Sequence, residues 1–314
     1  MQRTVVILLS DKRSGSTLLQ ELLCRHPAIQ HVTYSPHTYF ETHHWLKAAC
    51  LLGQPPALFD GGIPYRGYGS RGGARSYLVD CVRGNVPHFV VPSDPEELVF
   101  SGWNTLCERF AQPVFFEKSP QHPAHWAALD LMLRWARTAS FNVRFLSLVR
   151  NPMAVMYSAC ERFATPPTAR QFGWLRCYQN ILLFERLVGA AQFHWVHYEA
   201  LVREPVATLD GVTAFLGLAG APSPDPPPES APLERWRRDP AFTFDLHPSV
   251  ACMAAALGYA AAELRIAPNV APSGRHSPQH RTHGWVRLVA ARFEQRLLRP
   301  TLLRIKHARR SGDT

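Results

Sequence analysis

Apolar positions along this chain come as short runs bounded by turn residues, alternating with longer stretches at helical spacing. That alternation predicts an α/β fold. The run Val5-Val6-Ile7-Leu8-Leu9 is β-branched-rich and too short for a membrane span, so it reads as a buried parallel strand. Leu18, Leu19, Leu22 and Leu23 then recur at helical spacing until Pro27 closes the pattern. Further strands are expected near 113–117, 143–149 and 193–197. Helices are expected over Pro95–Phe110, from Met153 onward after the turn Arg150-Asn151-Pro152, and over Thr208–Leu218. Between 53 and 95 the pattern fails. Six glycines in thirteen residues, from Gly61 to Gly73, leave neither period intact, and the whole stretch is expected to be a mobile Gly-rich insertion or lid. Pro222–Pro232 reads as an extended bridge. Near the end, Trp285, Leu288, Val289, Arg292, Phe293, Arg296 and Leu297 describe a basic amphipathic helix, interrupted at Pro300.

Composition narrows the reading. A chain of 314 residues can bury a full core, and one large domain over 1–269 with an extension over 270–314 fits its patterning. The formal charge of +10 is concentrated in that extension: ten Lys/Arg stand there against Glu294 and Asp313, a net +8, which leaves +2 elsewhere. The extension is expected to pack its apolar face on the domain, or else to lie on an anionic membrane surface or dock on a partner. No nucleic-acid partner is expected. The chain has no signal-peptide pattern and no segment near the ~20 apolar residues of a spanning helix. Its seven cysteines are scattered, without a Cys-x-x-Cys, and its 15 histidines are not at zinc-finger spacing. Reduced thiols, a cytoplasmic location and no metal are the expectation.

Candidate chemistry begins where the first strand meets the first helix. A turn there, Lys12-Arg13-Ser14-Gly15-Ser16-Thr17-Leu18, offers free helix-start amides, three hydroxyls and two cations, with Gly15 permitting close approach. This suits a phosphate or sulfate group. It is not a Walker A loop, because no Lys follows Gly15. Downstream, Tyr34–Trp45 is dense in proton-handling groups, among them His37, Glu41 and His43. Glu117-Lys118-Ser119-Pro120 ends a strand at the edge where open sheets bind ligands. Arg150 and Ser158 are eight residues apart across a strand–helix junction, with Arg162 one turn further.

Arg13-Ser14-Gly15-Ser16-Thr17-Leu18-Leu19 after a strand resembles the phosphosulfate loop of the sulfotransferases that use 3′-phosphoadenosine 5′-phosphosulfate (PAPS). Glu41-Thr42-His43 resembles the family string that carries the general base, and Glu117-Lys118-Ser119-Pro120 the one whose lysine contacts the transferring group. Arg150-Asn151-Pro152 with Ser158 resembles the site of the 3′-phosphate, and Tyr198-Glu199-Ala200-Leu201 a string beside the nucleotide. Glu234–Arg238 resembles a late basic segment that closes over the cofactor, which brings in Arg235, and Leu257-Gly258-Tyr259 the usual domain end.

The resemblance implies a P-loop-NTPase-like sulfotransferase architecture, with a mostly parallel sheet flanked by helices. It implies PAPS as donor, the bisphosphate PAP as product, and no metal. The acceptor would be a hydroxyl or amine of a small molecule, glycan or lipid. Arg13, Lys118 and a base would be catalytic. Lys12, Arg13, Ser14, Gly15, Ser16, Thr17, Leu18, Arg150, Ser158, Arg162, Tyr198 and Arg235 would bind the cofactor. Glu41 lies 28 residues after Arg13, farther than the family spacing, so His37 and His43 stay open as the base. The rival readings are a non-catalytic binding protein on the same scaffold and an atypical Mg²⁺-dependent kinase-like enzyme.

Overall fold

The computed structural model describes residues 3–37, 39–53 and 69–265. They form two compact units, one of residues 1–151 and 173–230, the other of 152–172 and 231 onward.

The first unit is built on a five-stranded sheet. In chain order its strands are β1 (Thr4–Ser10), β2 (Ile29–Gln30), β3 (Val114–Lys118), β4 (Asn142–Val149) and β5 (Phe193–His197). All neighbours are parallel, in the order β2-β3-β1-β4-β5. The four longer strands are the apolar runs expected from sequence. A strand that pairs on both sides and is covered on both faces needs no polar alternation, and every residue of β1 is buried. The register sets Leu8 beside Lys118 and Ser10 beside Leu148, so β1, β3 and β4 end at one edge. There the chain leaves β1 for one flank, through β2 and β3, and later returns to the other through β4. That reversal marks the place where open α/β sheets take ligands.

Helices flank the sheet: α1 (Ser16–Leu23), α2 (His44–Leu51), α3 (Arg71–Asn85), α4 (Pro95–Phe110) and α5 (Trp126–Thr138). After β4 come α6 (Pro152–Phe163), α7 (Pro167–Val188), α8 (Tyr198–Arg203), α9 (Pro205–Phe215), α10 (Ala231–Arg238) and α11 (Pro248–Ala256). In the first unit Trp45, Trp103 and Trp135, all buried, meet with ring centroids 5.2 to 5.8 Å apart. The Trp135 indole N–H is satisfied by Asn104 Oδ1 at 2.8 Å. In the second unit α6 packs on α10, and Tyr157 meets Phe242 edge-to-face.

One expectation fails. Residues 71–85, read from sequence as part of a mobile loop, are the fifteen-residue helix α3. Ser70 caps it by accepting from the Gly73 amide at 3.0 Å. Ala74, Tyr77, Leu78, Cys81, Val82 and Asn85 form a buried stripe, with α2 and α4 as neighbours. Burial of that stripe outweighs the ~1 kcal/mol that each glycine costs a helix. Gly84 is required for packing, because a Cβ there would collide with the Tyr34 ring. Residues 54–68 and the basic extension 270–314 lie outside the described residues, so the remaining Gly-rich stretch and the amphipathic helix rest on sequence. Among the described residues no helix is long and apolar enough to cross a membrane. All seven cysteines are free thiols.

Candidate active site

The turn after β1 departs from ordinary geometry twice. Arg13 (φ 71°) and Gly15 (φ 93°) both occupy the left-handed region. For Gly15 this is inexpensive. It is also required, since a Cβ on Gly15 would drive into the Tyr198 ring. For Arg13 it is strain of about 1–3 kcal/mol, which survives where the surroundings hold it. Arg150 does so: its Nη1 donates to the Arg13 carbonyl at 3.0 Å, and its guanidinium carbon lies 4.2 Å from the Tyr198 ring centroid. Ser14 Oγ is 3.2 Å from the Tyr178 hydroxyl, which donates to the Leu148 carbonyl at 2.9 Å. The loop is thus clamped from β4, α7 and α8. Gly15 is the N-cap of α1, which has no side-chain cap and no acidic residue in its first turn. Its amides and dipole therefore face the loop, which is what an anion needs. Lys12 and Thr17 are half-buried and Arg13 is exposed.

The second half of the site comes from residues 31–37 and 39–43 and the end of β3. Lys118 is fully buried, and its Nζ donates to Glu41 Oε1 at 3.0 Å and to Thr17 Oγ1 at 3.4 Å. One ammonium therefore touches both the turn after β1 and the carboxylate. Glu41 Oε2 is 3.0 Å from His43 Nε2 and 3.3 Å from His37 Nδ1. The Glu41 carbonyl accepts from Ser35 Oγ at 2.5 Å and from the Tyr77 hydroxyl at 3.3 Å. Burial alone would raise the Glu41 carboxyl. The His43 hydrogen bond and the neighbouring His37 and Lys118 outweigh it, holding the group well below the usual carboxylate range. Burial holds the His43 imidazole below its ordinary value. The 28-residue separation of Arg13 and Glu41 is absorbed by α1, β2 and the loop after it.

His37, Glu41 and His43 offer three donor atoms within 4.8 Å of one another, a set a divalent cation could use. Such a cation would share Glu41 with the Lys118 ammonium, which opposes it electrostatically.

Of the residues singled out from sequence, the first unit brings together Lys12–Leu18, Glu41, His37, His43, Lys118, Arg150 and Tyr198. Ser158 and Arg162 lie on α6, half-buried and exposed respectively, and Arg235 is exposed on α10; all three belong to the second unit. Sequence reasoning missed the supports: Tyr178 under Ser14, Glu199, whose Oε1 accepts from the Asn151 amide at 2.9 Å, and Glu117 beside Lys118. Glu117 and Glu199 stand inside strings already singled out, whereas nothing in the pattern marks Tyr178 apart from core.

Comparison with known proteins decides the family. A profile described as "Sulfotransferase family" matches residues 6–222, more than half of the chain. The chain belongs to the sulfotransferase family. No curated protein matches this sulfotransferase at a significant level. Among solved structures it is similar to the sulfotransferase domain from the Synechococcus PCC 7002 olefin synthase, at 21% identity and a TM-score of 0.53. That match covers 82% of this chain and 96% of the other. It is also similar to the sulfotransferase domain from the curacin biosynthetic pathway, at 17% identity and a TM-score of 0.53, covering 82% and 98%. At these identities the likeness concerns the fold. The matched span contains the loop, Glu41, Lys118, Arg150 and Tyr198.

Proposed function

We propose that this sulfotransferase moves a sulfuryl group from PAPS to a hydroxyl or amine of a small molecule, glycan or lipid. The observation that carries the reading is the position of Lys118, in hydrogen-bond contact with both Thr17 of the anion loop and Glu41. A lysine so placed can neutralise charge on a transferring group while the carboxylate beside it faces the acceptor. Bound PAPS supplies an activated sulfuryl group, and its departure leaves the 3′,5′-bisphosphate.

The chain's own residues position and stabilise. The amides of Gly15, Ser16, Thr17 and Leu18 and the hydroxyls of Ser14, Ser16 and Thr17 suit a 5′-phosphosulfate, with Lys12 and Arg13 adding charge. Arg150, already holding the loop through the Arg13 carbonyl, is the proposed 3′-phosphate ligand, and Tyr198 bounds the nucleotide. Ser158, Arg162 and Arg235 are proposed from the sequence pattern alone as further nucleotide donors. Glu41 takes the acceptor proton. Its depressed pKa keeps it ionised, and Lys118 offsets its charge.

A second assignment of the base is favoured by one distance. His37 Nδ1 is 3.3 Å from Glu41 Oε2, so Glu41 could orient His37 as the proton acceptor instead.

The class is tested by thermal shift with PAP, ADP and ATP, each with and without Mg²⁺. Stabilisation by PAP without metal is expected. Stabilisation by ATP only in the presence of Mg²⁺ would overturn the reading in favour of the kinase-like one.

A further inference from the structure

We infer that Glu117, which takes no part in the chemistry proposed above, is the positioning residue that fixes the loop carrying Glu41. Glu117 is the penultimate residue of β3 and is 2% exposed. Its Oε1 accepts from Thr42 Oγ1 at 2.7 Å and from Ser119 Oγ at 2.5 Å. Each hydroxyl in turn accepts from a backbone amide: Thr42 Oγ1 from His44 at 3.2 Å, and Ser119 Oγ from His43 at 3.0 Å. One carboxylate oxygen therefore fixes two consecutive amides at the start of α2 through two hydroxyl relays.

The loop needs such a tie. Phe40 (φ 55°) and His43 (φ 49°) both lie in the left-handed region, one on each side of Glu41-Thr42. Neither is glycine, and each such residue costs about 1–3 kcal/mol unless its surroundings over-determine it. Thr42, His43, His44 and Ser119 are all fully or almost fully buried, so no solvent can replace these bonds. Lys118 follows Glu117 on the strand, so tying the loop to this strand end also fixes Glu41 against Lys118.

The arrangement is costly, which argues for a purpose beyond packing. Glu117 Oε2 is buried without a hydrogen-bond partner among the described residues, 3.9 Å from His122 Nδ1. An apolar residue would suit the sheet interior better. What it could not provide is an acceptor for two hydroxyls.

This inference rests on Glu41 being at the reaction centre, and the experiment separates the two. In the full chain, Glu117→Met removes the acceptor at similar volume, whereas Glu117→Gln keeps a carbonyl oxygen for both hydroxyls. Glu117→Met should lower kcat by about 10²-fold, as small misplacements of reacting groups do, with PAP affinity within twofold of wild type. Amide hydrogen exchange at His43 and His44 should accelerate in the same variant. Glu117→Gln should restore both rate and protection.

Wild-type kcat and protection in Glu117→Met would overturn the inference, as would a Glu117→Gln variant as impaired as Glu117→Met. Should Glu117→Met fail to fold, Thr42→Val and Ser119→Ala each break one arm. They should accelerate exchange at His44 and His43 respectively, and unchanged exchange in both would overturn the inference. Should the wild type transfer no sulfuryl group, the proposed function fails on its own, and the exchange data still decide the positioning role.

Discussion

At the scale of single residues, the site is a set of charges that the surrounding protein keeps in defined states. Glu41 is ionised and held by Lys118, His43 and His37. Glu41→Gln should lower turnover by ~10²–10⁴-fold, the usual cost of losing a general base, and leave PAP binding almost unchanged. His37→Ala should keep most of the rate. A large loss in His37→Ala would give His37 the role instead. With Glu41 as base, its depressed pKa places no limb of its own above pH ~4.

Glu117 behaves oppositely. Burial pushes it up from 4.5 to about 7, against the donors Ser119 and Thr42 and the charge of Lys118, with Glu41 adding to the rise. The folded state then binds this proton more tightly than the unfolded chain does. Its stabilising contribution is full below 4.5 and is lost as pH rises through about 7. Denaturant melts at pH 5 and pH 8 should show the wild type losing up to about 3 kcal/mol relative to Glu117→Gln over that interval.

The turn after β1, Glu41 and Lys118, which the fold brings into contact, could be singled out in the sequence because each sits in a short string with its own chemistry. Glu117 was not, because its role depends on Thr42, 75 residues away, which only the fold brings within 2.7 Å.

At the scale of elements, strands were the most legible part. Burial on both faces leaves an uninterrupted apolar run, which polar loops frame clearly. The two-residue β2 was too short to read as a strand, and α3 was hidden by its glycines. Those glycines can now be distinguished. A Cβ on Gly72 would meet nothing within 4 Å, whereas one on Gly84 would strike the Tyr34 ring. That ring is not free to yield, since its hydroxyl donates to Asp80 Oδ2 at 3.0 Å and the Tyr34 amide donates to Asn85 Oδ1 at 3.0 Å. Gly72→Ala should therefore raise stability by about 0.5 kcal/mol, and Gly84→Ala should lower it by about 1–3 kcal/mol. Thermal melts of the two variants should move in opposite directions. Two shifts of the same sign would mean that helix propensity alone governs α3.

At the scale of the whole molecule, the charge distribution separates two regions. Residues 270–314 carry a net +8 while the rest carries +2, and every motif named for chemistry precedes residue 270. Truncation after Asn269 should leave PAP binding intact and reduce any salt-dependent binding to anionic vesicles. A truncated chain that folds but no longer binds PAP would assign the extension to the site.

The central place of β1 has a consequence for how the chain is made. Its two partners, β3 and β4, begin at Val114 and Asn142, more than a hundred residues after Thr4. At roughly 5–20 residues per second, a ribosome needs on the order of ten seconds to supply the first of them. Throughout that interval Val5-Val6-Ile7-Leu8-Leu9, an uncharged run of high β-propensity, has neither of its native neighbours. Of the five strands, the one on which the Arg13–Thr17 turn is mounted therefore waits longest for its partners before the sheet can close.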